Sequence, residues 1–119
     1  MLETTGLKYL RRVVLDTCTC SEEVYVGFMK CGILNCKNLT IVGYLYVKGL
    51  ATVEELVLVG RGYVNILAGK RIFMASYNGA IVVDILAGER VFLIGSKHPV
   101  MARRVKAVEL YASNTLIGE

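Results

Sequence analysis

Four cysteines, Cys18, Cys20, Cys31 and Cys36, are spaced C-x-C-x10-C-x4-C and fall in the first third of a 119-residue chain. Three chemistries suit sulfurs grouped in this way: free thiols, one or two disulfides, or a zinc site of four thiolates. C-x4-C is an acceptable metal knuckle, but C-x-C is too short for one, so thiols or disulfides are favoured over metal. His98 is the single histidine and sits beside Pro99, which marks a loop. Without a positioned carboxylate or nucleophile it forms no triad. Residues 60–70, GRGYVNILAGK, carry glycines and a lysine but lack the G-x4-G-K-[ST] order of a phosphate loop. No catalytic residue and no cofactor are expected, and the chain reads as a non-enzyme.

The elements around these residues are set by a repeat. VNILAGKRIFMA (64–75) and VDILAGERVFLI (83–94) agree at seven of twelve positions, 19 residues apart. The same phrase, a polar residue followed by alternating apolar ones, recurs as NLTIVG, ELVLVG, RIFMAS, RVFLIG and ELYASN, anchored at Leu39, Leu56, Ile72, Val91 and Leu110. The anchors are 17, 16, 19 and 19 residues apart. Helical hairpins and propeller blades need about 33 residues or more per repeat, so a period of this length fits one coil of a β-solenoid. Each strand then pairs with its copy in the next coil, about 4.8 Å away. A second strand precedes each anchor, as in YLYVKG, YVNIL, AIVVDIL and VMARRV. Glycines 43, 49, 60, 62, 69, 79, 88 and 95 fall near the corners.

This spacing assigns an interior column to Leu39, Leu56, Ile72, Val91 and Leu110, with Ile41, Leu58, Met74, Leu93 and Ala112 beside it. Val47, Val64, Val83, Ile66 and Ile85 line another wall. Outward positions stack as Glu54–Lys70–Glu89 and as Glu55–Arg71–Arg90–Glu109, mostly alternating in sign. A further outward column is apolar: Val57, Phe73, Phe92 and Tyr111. It is covered by the N-terminal segment, serves lateral association, or lines a ligand groove.

VEELVLVGRGYVNILAGKRIFMA and VKAVELYASNTLIGE resemble the repeats of bactofilins, polymer-forming cytoskeletal proteins, over roughly residues 36–119. Val105, Ala107, Val108, Leu110, Ile117 and Gly118 fit the loose pattern v-x-A-x-x-V-x-L-x-x-x-a-x-V-x-G. The resemblance implies a right-handed β-helix of five to six rungs that assembles end to end without nucleotide. The four cysteines and the near absence of a polar tail depart from that family. Residues 1–30 do not match; they are expected to form a cap or an irregular first rung, with LKYLRRVVL as a helix or a strand, ahead of solenoid repeats over 31–119.

The fold class is therefore all-β, with 16–19 residues per rung. The expected partner is a second copy of the chain, through an interface of Val57, Phe73, Phe92, Tyr111, Leu116 and Ile117. Two alternatives remain: a binding module or viral accessory protein using the apolar stripe, or a β-helix enzyme such as an acyltransferase. The acyltransferase would need hexapeptide repeats, and steps of six from Leu39 soon lose the interior face. A glycan-modifying solenoid would need paired carboxylates, whereas the acidic residues here occupy ladder positions. The net charge is +4, from seven Lys and seven Arg against ten acidic residues, and the positives are scattered along the chain. A dense basic stripe is lacking, so no nucleic-acid partner is expected. Residues 1–12 lack the charge and apolar order of a signal peptide, and no uncharged apolar run reaches a membrane span of ~18 residues. A cytoplasmic protein is expected, and the absence of Gln suits a thermophilic source.

Overall fold

A computed structural model describes residues 8–118, apart from the side chains of 8, 9 and 22. Extended backbone accounts for nearly all of it: β1 (Lys8–Ile94), β2 (Val100–Ser113) and β3 (Thr115–Ile117). β1 winds rather than running straight, bending at each corner while remaining in one continuous run of sheet pairing. The result is a right-handed parallel β-solenoid of about six turns.

Register follows the repeat. β2 lies parallel to the end of β1 with Ile81 opposite Val100, Val91 opposite Leu110 and Phe92 opposite Tyr111. That offset is the 19 residues separating the two copies of the duplicated phrase. Earlier rungs are shorter: Gly43 packs on the Gly27 backbone, 16 residues back, and Gly60 on Gly43, 17 back. LKYLRRVVL is strand from Lys8 onward, and residues 8–30 wind in the same coil as the rest, with Val13, Cys18, Cys20, Val24, Val26 and Met29 buried. Residues 1–7 lie outside the described region.

The core is the stack of inward columns. Leu39, Leu56, Ile72 and Val91 are buried, as are Ile41, Leu58, Met74 and Leu93. Val47, Val64 and Val83 form the second wall. Four expected interior residues do not belong to it. Leu110 is 45% exposed, and Ala112 is exposed as well, because no later strand covers that part of β2 among the described residues. Ile85 is 39% exposed and Ile66 half-buried. Val64 and Leu67 are both buried, as are Val83 and Leu86, so alternation breaks at a corner between them, and Ile66 and Ile85 sit on that corner, where earlier rungs place exposed Ile33 and Leu50.

The corners use two devices. Gly43, Gly60 and Gly79 have positive φ, as do Asn78 and Asn114, which favours residues with little or no Cβ penalty. The irregular connection at residues 95–99 is pinned by the buried Ser76. The Ser96 amide donates to Ser76 Oγ at 2.9 Å, and that hydroxyl donates to the His98 carbonyl. His98 thus serves the loop through its backbone, with its ring exposed.

Outward ladders stabilise the register. Arg71 pairs with Glu55 at 3.1 Å and Arg90 with Glu109 at 3.6 Å. The two stacked arginines are thereby drawn to opposite neighbours. Both pairs are exposed, so each contributes under about 1 kcal/mol.

Candidate functional site

All four cysteines point inward in the first two rungs. Cys20 and Cys36 form a disulfide across adjacent rungs, with Cα atoms 4.3 Å apart at a sequence separation of 16. Cys18 and Cys31 are free and buried. They are hydrogen-bonded to one another, which holds Cys18 low and pushes Cys31 well above the usual thiol range, with burial adding to the rise at Cys31. No group of three or more His, Cys, Asp or Glu among the described residues is arranged to hold a metal ion.

The disulfide closes a loop of the length for which restricting the unfolded chain contributes about 3 kcal/mol. Reduction is expected to lower the melting temperature by several degrees while leaving the strand content intact. Thermal melts followed by circular dichroism, with and without dithiothreitol, measure it. Equal melting temperatures would remove the disulfide's stabilising role.

The proposed interface residues fall into two connected surfaces. The first is the outer edge of β2. Its inner edge pairs with β1 over most of its length, but its outer edge pairs with β3 only at Val100–Ala102. From Arg103 to Ser113 no described strand satisfies the outward N–H and C=O groups. Above that edge lies apolar surface: Val108 is 82% exposed, Leu116 60% and Ile117 46%. Leu110, assigned to the interior by the repeat, belongs to this surface. Sequence periodicity places it in the correct column; it cannot show whether another rung covers it.

The second surface is the aromatic stripe. Phe73 and Phe92 have ring centroids 6.4 Å apart, and Phe92 and Tyr111 6.0 Å. Val57 and Phe73 are half-buried, while Phe92 and Tyr111 are exposed. Val57, Phe73 and Phe92, together with Glu55, Arg71 and Arg90, line a shallow cleft of about 280 Å³. None of the described N-terminal residues covers Phe92 or Tyr111. The stripe ends at Tyr111, which lies in β2 and so reaches the open edge.

Two aromatic pairs on another face escaped the repeat analysis: Phe28–Tyr44, stacked at 5.0 Å, and Tyr46–Tyr63 at 5.7 Å. Their 16- and 17-residue spacings were the available signal. Tyr63 donates to Asp84 at 2.5 Å, and that bond raises its phenol above the usual range.

Fold and surface together define a right-handed parallel β-solenoid whose β2 edge is apolar and, among the described residues, largely unpaired. No protein-family model, curated protein or solved structure matches the chain. No helix in the described residues is long and apolar enough to cross a membrane.

Proposed function

We propose that this is a structural, self-associating solenoid, similar in role to the bactofilins its repeats resemble, and that it acts without nucleotide and without catalysis. The observation that carries this reading is the unpaired edge of β2 lying over exposed Leu110. An open edge of this kind is a template for another strand. The occupant is a second copy of the chain. Two β2 edges related by a twofold axis present matching N–H and C=O rows, and each covers the other's Leu110 and Val108. A second, separate edge contact between first rungs would extend such dimers into filaments. A cytoplasmic setting accommodates the Cys20–Cys36 disulfide in hosts that keep intracellular disulfides, as hyperthermophiles do.

Sedimentation velocity over a range of concentrations tests the reading. The wild-type chain is expected to form dimers or longer species, and Leu110→Arg to remain monomeric because it would bury unpaired charge at the contact. Phe92→Glu separates the second reading, in which the stripe binds another protein: assembly would survive that substitution. A wild-type chain that is monomeric at every concentration would overturn the proposal.

A further inference from the structure

Charges scattered along the sequence are gathered by the solenoid. Arg12 sits 4.5 Å over the Phe28 ring, Lys30 lies 5.5 Å from Tyr46, and Arg61 lies 5.5 Å from Tyr44. Lys48 borders the same cleft as Lys30 and Tyr46. Arg103 falls in the column of Asp84, between the paired positions Val83–Ala102 and Ile85–Arg104. All five cations are exposed, and they share one face.

The carboxylates on that face are Asp16 and Asp84, and Asp84 already accepts the Tyr63 hydroxyl. None of the five cations belongs to an ion pair among the described residues; both ion pairs lie on the face carrying Phe73. Five cations against two carboxylates leave this face with a net charge of +3, most of the chain's +4. Its rows repeat at about 4.8 Å, close enough for like charges to repel.

We propose that this face binds duplex nucleic acid through its phosphate backbone, without reading sequence. Charge complementarity names a polyanion. From the first rung to the sixth the face runs about 24 Å at this spacing, which spans roughly seven base pairs at ~3.4 Å each. The rings favour a duplex over a single strand. Phe28 and Tyr44 are stacked on one another and bracketed by Arg12 and Arg61. Their faces are occupied, so they offer no platform for an unpaired base. The cations are left to meet phosphates, held in place by the rings beneath them. The inference is independent of self-association, since Lys30 and Lys48 lie outside β2.

Fluorescence anisotropy with a labelled 20-base-pair duplex, titrated with the full chain at 50–200 mM NaCl, tests it. Five phosphate contacts give an expected slope of log affinity against log salt of about −4.5. The double variant Lys30→Glu/Lys48→Glu is expected to bind at least tenfold more weakly, with the slope reduced by about 2. Arg71→Gln/Arg90→Gln, on the other face, should bind within twofold of wild type, and matching melting curves would establish that both variants fold. No binding at 50 mM salt, equal losses in both variants, or tenfold preference for the single strand would each overturn the proposal. So would tighter, Lys30- and Lys48-dependent binding to phosphatidylserine vesicles than to the duplex.

Discussion

Gly60→Ala is expected to abolish cooperative folding. Gly60 has φ of +143°, and a Cβ there would fall on the Gly43 carbonyl oxygen of the preceding rung. Gly43 itself has φ of +142° and lies on Gly27 in the same way. The corner is thus a stack of glycines whose backbones approach more closely than any side chain permits. Strain at such a φ costs on the order of 1–3 kcal/mol. The clash adds to this, because backbone cannot give way as a flexible side chain can. A displaced rung also loses its pairing on both sides, and solenoid rungs depend on their neighbours. Domains of this size are stable by only about 5–15 kcal/mol. Urea unfolding followed by circular dichroism would read the loss. Gly118→Ala is the control: the nearest atom to its added Cβ is 3.7 Å away, at the Arg103 carbonyl, and its stability is expected to stay within about 0.5 kcal/mol of wild type. A stable Gly60→Ala chain would mean that the rungs do not stack closely at this corner.

The second large effect is positional. Leu56 and Leu110 occupy the same inward column, yet Leu56 is 1% exposed and Leu110 45%. Leu56→Ala opens a cavity with rungs on both sides and should cost about 2–5 kcal/mol. Leu110→Ala should cost under about 1 kcal/mol, measured at concentrations where the chain is monomeric. Equal losses would show that the terminal rung is covered, and the open-edge surface would disappear with that result.

Periodicity carried the fold well where it was regular. The phrase beginning at Val64 recurs at Val83, and the offset it implies is the register between β1 and β2. Leu39, Leu56, Ile72 and Val91 were legible as core because each is the first apolar position after a polar residue in the phrase. Legibility failed at the corners. Ile66 and Ile85 look inward by alternation, but a corner between Val64 and Leu67, and again between Val83 and Leu86, breaks the two-residue period. Leu110 was assigned to the right column, while its exposure depends on a neighbouring rung that no local pattern encodes. The cysteine spacing left thiols, disulfides and zinc open, since partners are set by which positions the coil superimposes. Cys20 and Cys36 are one rung apart; Cys18 and Cys31 meet inside the coil. The basic face escaped for the same reason. Lys30 and Lys48 are 18 residues apart in the chain, and only the winding makes them neighbours.

Self-association is tested most directly by negative-stain electron microscopy of the purified chain at increasing concentration, without nucleotide. A single chain measures 34 × 28 × 22 Å. Particles of about twice that length, or unbranched filaments built from them, are the expected result, and Leu110→Arg should return single particles. Discrete monomers at every concentration would contradict it.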